Sequence, residues 1–246
     1  MRGFVPILKR ELFSLFVTPL AWVLIALFLF YQGFHFMLLV SSFAGQGSVS
    51  EQGPLQLFLG GTILHYLPIL LLCPLLTMRA FSEERRSGTI EALLTAPVTP
   101  VAVVLAKYCA AFIMYLVMWA PTLAYAWILS RYGGVEARTV LTAYLAIFLT
   151  GMGYIAIGIM TSALTSSQLV AALISSLTLV ALFTASMLES LDPGTLHDVG
   201  HYVSISSMMN EFARGVIDSR RLVFVATLVV LPLFFTVRTV ESWRWG

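Results

Sequence analysis

The sequence predicts an all-α membrane protein with six transmembrane helices, and three observations support this fold class. Hydrophobic residues make up 59% of the 246 positions and charged residues only 11%, whereas a soluble domain carries about 25% charged residues. The mean hydropathy is +0.91. Apolar runs long enough to cross a bilayer, which takes about 20 residues, recur along the chain. Little length remains for a soluble domain, so residues 1–246 are predicted to form a single transmembrane domain.

Residues 1–16 are predicted to form an amphipathic helix in the membrane interface. Phe4 and Leu8 share one apolar face of such a helix, and the basic residues point away from it. Glu11 falls at the edge of that face, where a carboxylate needs a partner or contact with water. Arg79 is a candidate partner from another part of the chain. The alternative is that Glu11 reaches interfacial water.

The six spans are predicted at about residues 20–41, 61–78, 101–130, 139–161, 169–188 and 222–237. Pro68 and Pro74 are expected to kink or locally unwind the second span, and Pro121 is expected to break the third. Residues 43–60 are rich in glycine and serine and are predicted to form an external loop. The polar cluster at 161–168 is predicted to be the turn between the fourth and fifth spans.

Short outer helices, of the re-entrant kind, are predicted just before the sixth span. Within residues 204–216 a helix would place Met208, Met209, Phe212 and Val216 on one side.

The sixth span itself is short, because it has only 16 residues between two arginines. Arg221 and Arg238 are therefore expected to snorkel towards the two membrane interfaces.

The positions of lysine and arginine predict the orientation, because cytoplasmic loops carry the excess of these residues. With six spans both termini lie on one side, which holds nine of the 14, namely Arg2, Lys9, Arg10, Arg79, Arg85, Arg86, Lys107, Arg238 and Arg244. The other side holds five, namely Arg131, Arg138, Arg214, Arg220 and Arg221. Both termini are therefore predicted to be cytoplasmic.

A dense polar stretch at residues 78–100, called the polar island below, separates the second span from the third. Its charged residues are Arg79, Glu83, Glu84, Arg85, Arg86 and Glu91. Gly88 is predicted to be the N-cap of a short surface helix that ends at Pro97, with Ile90 and Leu94 on its apolar face. One interpretation is a docking point for a soluble partner. The other is an ordinary cytoplasmic loop whose charges only set the topology.

The chain resembles the permeases of ABC-2 type transporters in the stretch Thr77-Met-Arg-Ala-Phe-Ser-Glu-Glu-Arg-Arg-Ser-Gly-Thr-Ile-Glu-Ala-Leu-Leu-Thr-Ala-Pro-Val. It is most similar to the small branch associated with gliding motility and with copper-enzyme maturation. Two further stretches agree, namely Lys9-Arg-Glu-Leu-Phe and Phe212-Ala-Arg-Gly-Val-Ile-Asp. The similarity thus covers essentially the whole chain.

The resemblance implies a permease that couples ATP hydrolysis by separate cytoplasmic ATPase subunits to export. It also implies a second permease copy or a paralogue, so that a homodimer and a heterodimer both stay open. A coupling helix in this family sits in a groove of the ATPase. The coupling residues on this chain would be Glu83, Glu84, Arg85, Arg86, Gly88, Thr89, Ile90, Glu91 and Leu94. The outer gate would consist of Met208, Met209 and Phe212.

The same resemblance implies a multi-pass protein of the bacterial inner membrane. ATP and Mg²⁺ would bind the ATPase subunits, so no cofactor is expected on this chain. An alternative function is mechanical, in which motion passes to a periplasmic accessory protein and no solute crosses the bilayer. The cargo stays open among a lipid, a polysaccharide, a copper–sulfur species and a protein.

Several function classes are disfavoured. The sequence has no G-x-x-x-x-G-K-[ST] motif and no nucleophile–base pair, so it is not predicted to be an enzyme. The middles of the predicted spans carry no charged residue, which counts against an ion-coupled carrier. The net charge of +2 gives no reason to expect a nucleic-acid partner. His197 and His201 have a spacing that can bind a metal, but the sequence places no third ligand, so no metal site is predicted.

Overall fold

The computed structural model describes residues 3–45, 54–60, 62–90, 98–132, 134–185 and 200–243. These residues are helical between short turns, and they contain no strand. Six stretches are long and apolar enough to cross a membrane, namely Pro19–Ser42, Leu55–Ser87, Pro100–Tyr132, Ala137–Leu164, Gln168–Ala185 and Ser219–Ser242. The predicted fold class is therefore confirmed, and the chain is a multi-pass, all-α membrane protein.

The α-helices are α1 (Phe4–Val17), α2 (Pro19–Gly45), α3 (Pro54–Leu59), α4 (Ile63–Thr77), α5 (Ser82–Ser87), α6 (Pro100–Trp119), α7 (Leu123–Tyr132), α8 (Ala137–Leu164), α9 (Gln168–Ala185), α10 (Ile205–Ala213) and α11 (Ser219–Ser242). A 3-10 helix, Ala120–Thr122, joins α6 to α7, and residues 200–203 form a helical turn before α10. The central helix is α8, because it packs against α4, α6, α9, α10 and α11.

The junction between α1 and α2 follows from a proline. A residue before proline avoids the helical region, and Thr18 is accordingly extended with a ψ of 126°. Pro19 opens α2 at a position where no N–H is needed. Ahead of this break, α1 packs against α6 and buries Ile7. The apolar face of α1 thus has a protein partner, while its place in the membrane interface stays a prediction.

Part of the external loop predicted at 43–60 is helical, so that prediction is wrong. The helix α2 continues to Gly45, and α3 follows. Leu55, Phe58 and Leu59 of α3 are each 2% exposed or less, and α3 packs against α2, α7 and α10. These apolar side chains, rather than the neighbouring glycines and serines, decide the local structure because they gain more from burial in a helix than from a solvated loop.

Two prolines, Pro68 and Pro74, lie inside α4, yet the helix is continuous from Ile63 to Thr77. The predicted local unwinding is therefore absent from this helix. Pro68 has no N–H to donate to the carbonyl of Leu64, four residues earlier. Tyr31 of α2 donates its hydroxyl to that carbonyl at 2.8 Å. A neighbouring helix thus satisfies the backbone group that the proline frees, as the interior of a membrane requires.

Pro121 breaks the third span, as predicted. The helix α6 ends at Trp119, and the 3-10 helix around Pro121 connects it to α7. The Thr122 hydroxyl donates to the carbonyl of Trp119 at 2.7 Å and lies 3.0 Å from the hydroxyl of Tyr144 on α8. The break is therefore supported by polar contacts inside the bundle.

The turn between the fourth and fifth spans lies within the polar cluster at 161–168, as predicted, but it is shorter than the cluster. Helix α8 extends to Leu164, and only residues 165–167 connect it to α9. Thr161 and Ser162 are buried. The Thr161 hydroxyl donates to the carbonyl of Gly158 at 2.9 Å, and Ser162 bonds to backbone groups at the end of α4. Hydroxyl side chains with such partners do not need to face water.

Small residues of α8 let neighbouring helices approach closely. A Cβ at Gly158 would lie 2.1 Å from the Thr77 hydroxyl of α4, and a Cβ at Gly151 would lie 2.3 Å from the Tyr115 ring of α6. Small residues on membrane helices can serve packing within one chain or between two chains. For these two glycines the packing is within one chain.

The last span is longer than predicted, since α11 has 24 residues. Asp218 caps its first turn by accepting a hydrogen bond from the N–H of Arg220 at 2.9 Å. Arg221 does not snorkel as predicted, because it is only 1% exposed and donates to Glu211 of α10 at 3.0 Å. The carboxylate of Glu211, whose side chain is 26% exposed, compensates for the burial of the charge. Arg238, in contrast, keeps 65% of its side chain exposed.

Replacing Gly158 by alanine is expected to destabilise the protein by about 1–3 kcal/mol, the usual cost of adding a methyl group to a filled core. The new Cβ would meet the Thr77 hydroxyl, which the carbonyl of Cys73 already holds at 2.8 Å. The thermal unfolding midpoint in detergent measures the effect. Gly33→Ala is the matched control, because its Cβ would approach only the end of the Tyr125 side chain, at 3.2 Å. Equal midpoints for the two variants would contradict this packing.

Candidate functional site

The polar island contains a helix made of its charged run. Two of the predicted coupling residues, Glu91 and Leu94, lie outside the described residues. The helix α5 has acidic residues in its first turn and basic residues in its last, namely Glu83, Glu84, Arg85 and Arg86. This order suits the helix dipole, which favours negative charge at the N-terminus and positive charge at the C-terminus. Glu83 and Arg86 are exposed.

Gly88 ends α5 instead of beginning the next helix, so its prediction as an N-cap is wrong. Its φ is 73°, and its N–H donates to the carbonyl of Arg85 at 3.4 Å. Glycine adopts this left-handed conformation without steric cost and is common at helix ends for that reason. No heavy atom lies within 4 Å of a Cβ built at Gly88. The backbone conformation, and not the available space, therefore favours glycine here.

The N-terminus of α5 rests on the C-terminal end of α8. Ser162 of α8 accepts hydrogen bonds from the N–H groups of Phe81 and Ser82 at 3.0 and 3.2 Å. The same hydroxyl donates to the carbonyl of Met78 at 3.0 Å. The first N–H groups of a helix have no partner within it. Ser162 therefore acts as a cap that another helix supplies.

An ion cluster of four residues joins α5 to α1 and α6. The ammonium of Lys107 on α6 lies 3.1 Å from Glu11 of α1 and 3.0 Å from Glu84 of α5. Arg10 of α1 lies 2.7 Å from Glu11 and 2.8 Å from Glu84. The Lys107 side chain is only 2% exposed, and a buried ammonium needs such carboxylates to offset its loss of hydration. Two cations and two anions make the cluster neutral.

The ion cluster corrects the partner that the sequence suggests for Glu11. The carboxylate pairs with Lys107 and Arg10 instead of an arginine of the polar island, because α1 packs against α6 and α5 turns Glu84 towards it. Arg79 donates to Gln168 of α9 at 3.2 Å. Burial alone would raise the pKa of Glu11, but the charges of Lys107 and Arg10 outweigh it and hold that pKa below its ordinary value.

The end of α11 also contacts α5. The ring of Trp243 packs edge-on against the ring of Phe81, with 5.9 Å between the centroids. The guanidinium carbon of Arg85 lies 5.0 Å from the centroid of the Trp243 ring. A contact between a cation and an aromatic face contributes about 0.5–1 kcal/mol at exposed sites. The short helix α5 is therefore attached to α1, α6, α8 and the end of α11.

At the opposite end of α11, the predicted gate residues form the buried face of α10. Met208, Met209 and Phe212 are each 1% exposed or less. Val216, which the sequence places on the same side, is 57% exposed. The reason is that α10 has already ended, and Gly215 turns the chain with a φ of 83°. Whether α10 acts as a gate stays a prediction.

Arg221 fastens α10 to α11. Its guanidinium donates to both carboxylate oxygens of Glu211, at 3.0 and 3.3 Å, and to the carbonyls of His201 and Tyr202. Charge-assisted pairs of this forked kind are among the stronger hydrogen bonds of proteins. On its other side α10 is tied to α8, since the Thr142 hydroxyl donates to the carbonyl of Phe212 at 2.6 Å.

Only one of the two histidines considered for metal binding belongs to the described residues. His197 lies outside the described residues, and the ring of His201 lies 3.2 Å from the guanidinium of Arg221 and 3.6 Å from Glu211. Within the described part of the chain, no group of three or more histidine, cysteine, aspartate or glutamate residues is arranged to hold a metal ion.

Several residues of these contacts have no role in the predicted site, and Lys107, Trp243 and Arg221 are among them. The sequence does carry a signal for Lys107, because a lysine inside the apolar run of a span is rare and generally has a partner. Trp243 carries no such signal, since its contact with α5 depends on how the first and last parts of the chain meet in space. The sequence therefore indicates where α5 is but not what holds it.

Replacing Lys107 by methionine is expected to lower the free energy of unfolding by about 3 kcal/mol, the lower end of the cost of breaking a buried ion pair. The lower end applies because Glu11 and Glu84 keep 17% and 16% of their side chains exposed. Unfolding in a denaturing detergent, followed by circular dichroism, measures the loss. Lys9→Met is the matched control, since Lys9 is an exposed lysine of α1. A Lys107→Met protein as stable as this control would contradict the role of the ion cluster.

One known protein family matches most of the chain. The family described as ABC-2 family transporter protein matches residues 40–235 of the chain. No curated protein matches the sequence. The matched range contains α3 to α10 and most of α11, and so it includes Lys107, all of α5 and the Arg221 contacts.

Proposed function

Because the chain belongs to the ABC-2 family of transporter proteins, we propose that it is the membrane-spanning permease subunit of an ATP-binding-cassette transporter. One observation carries this proposal. A short charged helix at the end of the second candidate span, α5, is attached to α1, α6, α8 and the end of α11, while Glu83 and Arg86 stay exposed. A soluble ATPase that pushes on this exposed side would move all of these helices. The polar island thus acts as the coupling element.

The proposal assigns ATP and Mg²⁺ to the separate ATPase subunits, so this chain binds neither and hydrolyses nothing. It places the chain in the inner membrane of a bacterium, with both termini and the polar island in the cytoplasm. The excess of lysine and arginine on that side supports the orientation. A second copy of the chain or a paralogue completes the transporter.

Motion at α5 reaches the opposite side through α11. A helix of 24 residues is about 36 Å long, enough to cross the hydrocarbon core of a bilayer. Trp243 contacts Phe81 and Arg85 at one end of α11, and Arg221 holds Glu211 of α10 at the other. A displacement of α5 would therefore move one end of α11, and the helix would pass that motion to α10 at its other end, as packed elements do in conformational transitions.

Two uses of this motion differ in what it delivers. In the transporter proper, α10 opens and closes an exit for a cargo. In the mechanical alternative, the motion of α10 passes to a periplasmic accessory protein, and no solute crosses. ATP turnover that depends on a solute favours the first, and turnover that depends only on the accessory protein favours the second.

The charge reversal Arg86→Glu is expected to lower the recovery of the ATPase about tenfold, equivalent to about 1.4 kcal/mol of binding free energy. The tagged chain is purified from native membranes in mild detergent, and mass spectrometry quantifies any co-purified chain that carries an ATP-binding motif. Arg131→Glu is the matched control, because Arg131 lies in the last turn of α7, on the side predicted to face away from the ATPase. If the unmodified chain recovers no such ATPase, the proposed function is wrong.

The substitution Trp243→Ala is expected to uncouple α10 from α5 without releasing the ATPase. Val216→Cys, in a background with Cys73→Ala and Cys109→Ala, supplies an exposed position next to α10 for labelling by a maleimide. ATP should change the labelling rate in the parent and change it much less with Trp243→Ala, because the contact of α11 with α5 is lost. Phe235→Ala, which removes an exposed ring from the middle of α11, is the control. An unaltered ATP response in Trp243→Ala would exclude this route.

A further inference from the structure

We propose that the crevice between α1, α2, α4 and α6 binds one zwitterionic glycerophospholipid with a primary amine in its headgroup. The crevice has a volume of about 420 Å³, within the range of small-molecule sites in proteins. Its walls change from charged to apolar along its length. No part of the transport mechanism above uses this space, and the proposal does not depend on that mechanism.

The charged end of the crevice is balanced. Its ionic wall residues are Arg10, Glu11, Arg79, Glu83, Glu84 and Lys107. Three cations and three anions give no net charge, so an anionic lipid or a free anion gains no overall attraction here. A zwitterionic headgroup carries a phosphate for the arginines and an ammonium for the carboxylates. Charge complementarity therefore favours a headgroup of both signs.

One carboxylate at this end still lacks a donor. The Oε1 atom of Glu84 contacts Arg10 and Lys107, whereas its Oε2 atom is buried and has no hydrogen-bond partner in the described structure. An ionised carboxylate can accept several hydrogen bonds, and a buried oxygen without one is costly. A primary ammonium has three N–H donors and can supply one when the Glu84 side chain, which is 16% exposed, turns this oxygen towards the crevice. A choline headgroup carries no N–H and cannot.

The other end of the crevice favours a lipid over a soluble zwitterion. It is lined by leucine and alanine side chains, among them Leu15, Leu24, Leu75 and Leu76. Leu24 and Leu76 are buried, while Leu75 at the rim is 37% exposed. The apolar end lies beside α2 and α4, both of which are candidate membrane spans. An acyl chain can therefore begin in the crevice and continue past Leu75 into the bilayer.

The position of the crevice fits a lipid of the leaflet on the side of α5. Its charged end lies against α1, which precedes the first candidate span, and α5, which ends the second, and its apolar end lies further inside these spans. A phospholipid has the same order, with its headgroup at the interface and its chains towards the bilayer centre. Headgroup and chain would thus meet matching surfaces without a change in the depth of the lipid.

The test is native mass spectrometry of the delipidated, detergent-purified chain after addition of equal amounts of phosphatidylethanolamine, phosphatidylcholine and phosphatidylglycerol. We expect one phosphatidylethanolamine per chain to be retained about tenfold more than either competitor, since one charge-assisted hydrogen bond corresponds to about that factor. Ser14→Trp fills the rim of the crevice from an exposed position of α1 and should lower this retention about tenfold.

Phe13→Trp is the matched control, because Phe13 is the neighbouring residue of α1, is 71% exposed and does not line the crevice. It should retain the lipid as the parent does, and the unfolding midpoint of each variant checks that its fold is kept. Equal retention of the three headgroups would reduce the crevice to an unselective lipid contact and overturn the proposal. Unchanged retention in Ser14→Trp, or no retained lipid in the parent, would overturn it as well.

Discussion

The buried ammonium group of Lys107 constrains how three helices of this protein pack together. Lys107 is almost fully enclosed, and an isolated charge in such a place would cost several times the stability of an ordinary contact. Its two carboxylate partners belong to different helices, Glu11 to α1 and Glu84 to α5. One charge therefore fixes three helices at once. The helix that faces the proposed ATPase is held in place by a residue of the third span.

Two helices of the bundle, α8 and α11, differ in how they are held. Helix α8 is buried on most sides, and its glycines at 151 and 158 bring α6 and α4 so close that these helices cannot slide past it easily. Helix α11, in contrast, is mostly exposed along its length and is tied at its two ends, by Trp243 and by Arg221. In the proposed mechanism α8 therefore stays fixed, and α11 moves with the helices attached to its two ends.

The sequence predicts the features of this fold that depend on neighbouring residues. Apolar runs predict the six membrane-spanning helices, and Pro121 predicts the break in the third, because chain length in the bilayer and the missing N–H are local properties. Gly88 shows the limit of such reasoning, since a glycine beside a charged run can end one helix as well as begin another. The partners of Arg221 and Lys107 are harder to predict from sequence. Arg221 pairs with Glu211, 10 positions away, and Lys107 pairs with Glu11, 96 positions away, and only the folded chain brings these residues together.

The neutrality of the ion cluster has a consequence for how the protein responds to salt. Dissolved ions screen charges at the surface over about 8–10 Å at ordinary ionic strength, but they screen an enclosed pair far less. The enclosed Lys107 contacts should therefore persist in concentrated salt, whereas the attraction of a partner to the open charges of Glu83 and Arg86 should fade. High ionic strength would then strip the subunit of its soluble partner and leave its own architecture intact, so that association and folding become separable in one buffer series.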